Sequence, residues 1–127
     1  MIFVDTNVLV YAVGGPHPLR APARAFFEES LESSRPLATS AEVLQELLHV
    51  YLPVDRLDTL DAALTLASSL IATVWPVEHE DVRQARALAE VHRGLGARDL
   101  LHLACCRRRD VQGIQTFDRA LAAAFAK

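Results

Sequence analysis

Ile2-Phe3-Val4-Asp5-Thr6-Asn7 runs three apolar residues straight into a carboxylate. A short continuous apolar run with branched and aromatic members predicts a strand buried on both faces. Asp5 then stands at the end of that strand. In open α/β sheets, ligands bind outside the carboxyl ends of the strands. Asp5 is therefore either a buried acid at a functional crevice or a cap for the backbone turning into Val8-Leu9-Val10-Tyr11. The choice depends on whether other acids occur at matching places along the chain.

Outward from this strand, apolar runs alternate with helical stripes. Val8 to Val13 reads as a short helix, stopped by Gly14-Gly15-Pro16. The two glycines lack the spacing and the following lysine of a phosphate-binding loop. Pro22 suits a first helical turn, and Ala23, Phe26, Phe27 and Leu31 give the stripe of a second helix, with Glu28, Glu29 and Glu32 on its solvated side. Leu37-Ala38-Thr39 reads as a strand. A helix from Ala41 to about Leu52 follows, capped by Ser40 or Thr39 and closed by Pro53, with Val43, Leu44, Leu47, Leu48 and Val50 apolar. Asp55 or Asp58 opens a longer helix through about Ile71, whose core face is Leu57, Leu60, Leu64, Ala67 and Ile71. Thr73 to Val77 reads as a strand in which Pro76 marks an edge or an end.

Asp81 to His92 reads as a helix with Val82, Ala85, Leu88, Ala89 and His92 inward, and Gly94 stops it. Gly96-Ala97-Arg98-Asp99 opens the next helix, through Leu100, Leu101, Leu103, Ala104 and Cys105. Arg107-Arg108-Arg109 sit at its far end, first as charges favoured by the helix dipole and second as a phosphate patch. Gly113 to Phe117 is a last strand, Asp118 follows it, and Ala120 to Phe125 is a terminal helix. Strands alternating with helices imply right-handed crossovers and a parallel sheet with helices on both faces, an α/β fold. With 127 residues, positions 1–127 are expected to form one domain.

Composition narrows the class only a little. The chain is 51% hydrophobic and 23% charged, as an ordinary globular protein is. No apolar run approaches the ~20 residues that cross a bilayer, and no signal peptide is visible, so a cytosolic protein is expected. Adjacent Cys105 and Cys106 read as buried helix thiols, not as a disulfide framework. The net charge of −3 does not announce a nucleic-acid binder, yet a cluster of metal-binding acids lowers net charge by itself. Lys127 is the only lysine. The arginine bias suits bidentate phosphate contacts, although a genomic bias gives the same count.

Two glutamates on the third helix must be told apart. Thr39-Ser40-Ala41-Glu42 fits a capping box, which is a sufficient structural role for Glu42. Glu46, a turn later, has no such local task and is either a solvent-facing residue or a carboxylate aimed at the Asp5 crevice. Asp5 and Asp118 leave from strand ends, while Glu46 and Asp99 lie early in helices. All four can converge on one edge of the sheet. Two carboxylates ~4 Å apart repel by ~4 kcal/mol at an effective dielectric of ~20. Such a cluster is kept when a divalent cation neutralises it or one acid holds a proton. All-oxygen ligation favours Mg²⁺ or Mn²⁺ over zinc, and the chemistry that follows is hydrolysis of nucleic acid.

Asp5-Thr6-Asn7, the segment Ser40 to Glu46 with Val43-Leu44-Gln45-Glu46-Leu47, Asp99-Leu100-Leu101-His102-Leu103-Ala104, and Thr116-Phe117-Asp118 resemble, in order and spacing, the motifs of the PIN-domain family. More narrowly they resemble the VapC toxins of VapBC toxin–antitoxin pairs, over nearly the whole chain. The resemblance implies a three-layer α/β/α fold and a Mg²⁺- or Mn²⁺-dependent endoribonuclease. It also implies a homodimer held inactive by a cognate antitoxin, with RNA as substrate. Carried onto this sequence, Asp5, Glu46, Asp99 and Asp118 are the metal-binding catalytic acids. Asn7 and Thr116 are polar supports of the site. Asp118 also suits the cap of the last helix. His102, three residues after Asp99, reads as a core or helix-surface histidine in preference to a ligand.

Two other classes compete. Haloacid-dehalogenase-like phosphatases resemble the chain at Asp5, but they want a second aspartate where Asn7 stands and a basic residue near the phosphate. A catalytically inactive PIN-like binding or scaffold module is the stronger rival, and metal titration separates it from the nuclease.

Overall fold

The computed structural model describes residues 1–127. Four strands form one parallel sheet: β1 (Ile2–Val4), β2 (Leu37–Ser40), β3 (Thr73–Trp75) and β4 (Gly113–Gln115), in the spatial order β3-β2-β1-β4. Ile2 pairs with Leu37 on one side and Gly113 on the other, and Ala38 pairs with Thr73. Phe3 and Val4 have no exposed surface, as expected of a strand covered on both faces. Pro76 follows β3, which is an edge strand, so its missing N–H costs no ladder bond.

Seven helices cover the sheet in a three-layer α/β/α arrangement. Helices α1 (Thr6–Val13), α2 (Arg20–Glu32), α3 (Ala41–Tyr51) and α4 (Leu57–Leu70) pack on one another and share the main core with β1. Helices α5 (His79–Leu88), α6 (Ala97–Arg108) and α7 (Arg119–Phe125) form a second group. There Ala85, Leu100 and Ala104 join α5 to α6, and Leu103, Leu121 and Ala124 join α6 to α7. No helix is long and apolar enough to cross a membrane. The chain leaves β1 toward β2 and returns to its other side as β4. The direction of winding therefore reverses at β1, and the crevice at such a reversal is where open α/β sheets bind ligands.

Several local expectations are corrected. Ser40 is the N-cap of α3, its hydroxyl accepting from the Val43 amide at 3.3 Å. Glu42 then lies one position too early to complete a capping box with it, so the box is not formed there. A short 3₁₀ turn, Leu52–Val54, follows α3 at Pro53. Asp55 adopts a left-handed backbone with φ 55°, and Arg56, not Asp55 or Asp58, is the residue preceding α4. Leu31, Leu48, Val50 and Leu57 are exposed.

The larger correction concerns α5, which spans His79–Leu88, not 81–92. Val82 faces outward at 53% exposure, and its neighbour Asp81 is wholly buried. Asp81 accepts from Arg108 at 2.7 Å, from Arg109 at 2.8 Å and from the Glu78 amide at 2.8 Å. Arg109 also donates to Glu78 at 3.0 Å and lies over the Trp75 ring at 5.2 Å. Arg107 donates to the Ala124 carbonyl. The arginine triplet is thus committed within the fold: Arg108 and Arg109 fasten α6 to α5. Cys105 and Cys106 are buried free thiols, in line with the reading of the sequence.

Candidate functional site

Asp5 ends β1 and starts α1, and the two roles left open for it are both filled. Its Oδ1 accepts from the Thr6 amide at 2.7 Å, which is the cap. Its Oδ2 accepts from the Thr116 hydroxyl at 2.6 Å, just beyond β4. Asn7, one residue into α1 from Thr6, donates to Thr116 Oγ1 at 3.3 Å and accepts from the Phe117 amide at 3.1 Å. The Asp118 amide donates to the same Thr116 oxygen. Asn7 thereby ties the end of β4 to the end of β1, and Thr116 hands that constraint to Asp5.

Glu46 comes from α3, where an amphipathic stripe turns Val43 and Leu47 into the core and leaves Glu46 beside them, 9% exposed. Its Oε2 accepts from the Thr6 hydroxyl and its Oε1 from His102 Nε2 at 2.9 Å. Asp99 lies in the first turn of α6, after Gly96. Asp118 is the N-cap of α7, with Oδ1 accepting from the Ala120 and Leu121 amides at 2.9 and 3.1 Å. The capping role foreseen for Asp118 is therefore real. Its carboxylate still lines, with Asp5, Glu46 and Asp99, a single cavity of about 310 Å³. The four acids anticipated from the sequence come together; Thr6, Asn7, Val10, Tyr11 and Val50 complete the walls. Glu42 does not reach this cavity.

Electrostatics set the acids apart. Burial raises Asp5 above the ordinary aspartate value, with the His102 charge and the Thr116 and Thr6 bonds opposing it in part. Asp99 is pushed up to about 6, by burial first and then by the negative charges of Asp118 and Asp5. Burial also pushes Glu46 up, but the hydrogen bond and charge of His102 and the Thr6 hydroxyl outweigh it and hold the carboxyl below its usual range.

His102 is the residue the sequence placed least well. It is a core histidine, 1% exposed, with its ring 5.6 Å from that of Phe3. It is also part of the site, since Nε2 meets Glu46 and lies 3.7 Å from Asp5 Oδ1. Asp5, Glu46 and His102 offer ligand atoms within 4.8 Å of one another, a spacing that can hold a cation. The Nδ1 atom has no hydrogen-bond partner, so the geometry suits a proton on Nε2. The spacing of Asp99 and His102, one helical turn, was the available signal. Thr6 was inside the first motif but carried no assigned role.

An acid cavity at the reversal point of a small parallel sheet, built from motifs in this order, points to one class. The PIN-domain family model matches residues 2–126, and the chain belongs to that family. Within the family its likeness is to VapC ribonucleases. Ribonuclease VapC23 of Mycobacterium tuberculosis is 63% identical over 125 residues, covering 98% of this chain and 98% of that protein. Ribonuclease VapC13 of the same species is 36% identical over 119 residues, covering 94% and 91%. Among solved structures, M. tuberculosis VapC20, described as a sarcin-ricin loop cleaving toxin, superposes with a TM-score of 0.77 at 24% identity, covering 98% of this chain and 95% of that one. FitAcB from Neisseria gonorrhoeae gives a TM-score of 0.66 at 22% identity, covering 99% and 94%. At these identities the two structures bear on the fold.

Proposed function

We propose that this chain, as one domain over residues 1–127, is a divalent-metal-dependent endoribonuclease and the toxin of a toxin–antitoxin pair, acting in the cytosol. The observation that carries the site is the convergence of Asp5, Glu46, Asp99 and Asp118 on one cavity. The relatives named as VapC ribonucleases support the reaction.

The charged groups lining the cavity are all carboxylates, which fit Mg²⁺ or Mn²⁺, while His102 Nε2 is engaged with Glu46. Asp99, raised by burial and by the charges of Asp118 and Asp5, and Asp5, raised by burial and then by Glu46, have no arginine or lysine partner. A dication would relieve both. When bound, it supplies Lewis acidity toward a phosphodiester and lowers the pKa of water for hydrolysis. The chain's own residues supply rigidity. Thr116, held by Asn7, fixes Asp5; Thr6 and His102 fix both oxygens of Glu46. Asp99 and Asp118 project from helix starts, the ends at which acids are favoured. Preset carboxylates spare the reorganisation that charge development otherwise demands.

A cognate antitoxin is the proposed protein partner, and a second copy of the chain is the proposed dimer mate. Leu48 on α3, Leu52 on the 3₁₀ turn that follows it and Leu57 on α4, all exposed, are the surface proposed for the dimer. Charge substitutions there are expected to give monomers by light scattering. The nuclease itself is tested by incubating the purified protein with a mixed RNA pool, with Mn²⁺, with EDTA, and beside an Asp99→Asn control. Cleavage that requires both metal and Asp99 supports the reading. Failure both to cleave and to bind metal would instead favour an inactive binding module.

A further inference from the structure

A second recess of about 390 Å³ adjoins the acid cavity and shares Val10, Tyr11 and Val50 with it. Its remaining wall includes His17, Tyr51 and Arg56. The rings of Tyr11 and His17 are stacked, with centroids 4.5 Å apart and planes 29° from parallel. Phe117 meets Tyr11 edge-on at 5.7 Å. His17 is exposed, yet it is not loose. It stands between Pro16 and Pro18, each of which fixes its own φ. The Leu19 amide donates to its Nδ1 at 3.0 Å, and the Arg20 amide donates to its carbonyl at 3.1 Å.

Tyr11 packs against the main core, but the exposed His17 ring stacked on it adds little there. It does present ring surface beside a cavity built for a phosphodiester. Unpaired bases stack on such platforms, and aromatic and cationic groups together hold single strands. Arg56, on the same wall, supplies a cation that the acid cavity itself lacks.

We propose that the Tyr11–His17 recess is a subsite for one unpaired base of the RNA, that of the nucleotide adjoining the scissile phosphate, with Arg56 against the sugar–phosphate backbone. This rests on the nuclease reading above and deepens it. A base inside a duplex has both faces covered by its neighbours and its pairing edge engaged. The recess therefore selects single-stranded or looped RNA over duplex.

The test uses the full chain and a single-stranded RNA carrying 2-aminopurine, whose fluorescence falls on stacking. Asp99→Asn protein is expected to bind the strand and quench it. Adding His17→Ala is expected to weaken binding about ten-fold, the lower end of the effect of removing one stacking partner. His17→Phe, in the same background, is expected to restore both affinity and quenching. In the cleaving protein, His17→Ala is expected to raise KM with kcat kept. Unchanged affinity and quenching in His17→Ala, equal binding of the same sequence as a duplex, or no binding at all would overturn the subsite. Cleavage by the parent with an unaltered KM in His17→Ala removes the subsite and leaves the nuclease standing. Quenching that depends on His17, with no cleavage by the parent under any metal, does the reverse.

Discussion

Helix α6 joins two acid sites that the fold treats in opposite ways. At its far end, Asp81 is enclosed with Arg108 and Arg109, and its carboxyl is held well below the usual range, because their hydrogen bonds and the Glu78 amide outweigh its burial. At its start, Asp99 faces Asp5 and Asp118 with no arginine partner and is pushed up to about 6. The acids are chemically alike, and the difference lies in whether the chain brings its own cation. Where it does, the charge is spent on holding α5 to α6. Where it does not, a position for an external cation is left open.

The largest expected effect lies at the arginine-paired end. Asp81→Ala leaves two guanidinium groups without their buried partner, and such a change costs about 3–5 kcal/mol. Urea unfolding should show that loss, while cleavage per folded molecule stays near that of the parent. The sign with pH follows from the lowered carboxyl: Asp81 stabilises the fold above the ordinary aspartate pKa and loses this as pH falls below it. A parent-like unfolding curve for Asp81→Ala would dissolve the contrast.

Asp99→Asn should act oppositely. Cleavage should fall by more than the ~10–100-fold typical of losing an outer partner of a metal ligand. The rise in melting temperature with Mg²⁺ should vanish as well. Yet the metal-free variant should be more stable at pH 7 by about 1 kcal/mol, a figure already reduced for solvent screening at a half-buried group. Urea unfolding in EDTA measures it.

A smaller effect is the pH dependence of that same group. A raised carboxyl binds its proton more tightly in the folded state. In EDTA its contribution is therefore favourable at low pH and is lost as pH rises from about 4 to about 6. Mg²⁺ should reverse the trend, since the cation competes with the proton. Melting scans from pH 4 to 8, with and without metal, should diverge most above about 6.

The smallest effects separate the helix-capping residues. Ser40→Ala should cost about 1 kcal/mol, and Glu42→Ala less than about 0.5.

These contrasts also mark where the sequence was legible. The first strand, the alternation of strand and helix, and the four acids could be read because their signals are local: an apolar run, a helical stripe, a carboxylate at an element's end. The preference for Glu46 over Glu42 led to the acid that lines the cavity, although one ground for it, a capping box at Glu42, does not exist. Asp81 was invisible because its partners lie 27 and 28 residues further on, and no periodicity reports them. A hydrophobic stripe drawn through Val82 then turned α5 by one residue. The pattern Glu78-x-x-Asp81 ahead of a helix, with three arginines ending a later one, was the available hint. His102 was hard for a different reason. A buried histidine in a core and one beside a carboxylate have the same sequence signature, and here a single residue is both.

Cys105 and Cys106 sit on α6 between these two ends, both buried, with burial pushing the first thiol up to about 11 and the second higher still. Neither offers a thiolate to a reagent while α6 stays packed. The pair therefore works as a clock wired into the helix that bridges the two acid groups. The rate at which a disulfide reagent labels it measures how often α6 opens, with no residue of the chain changed.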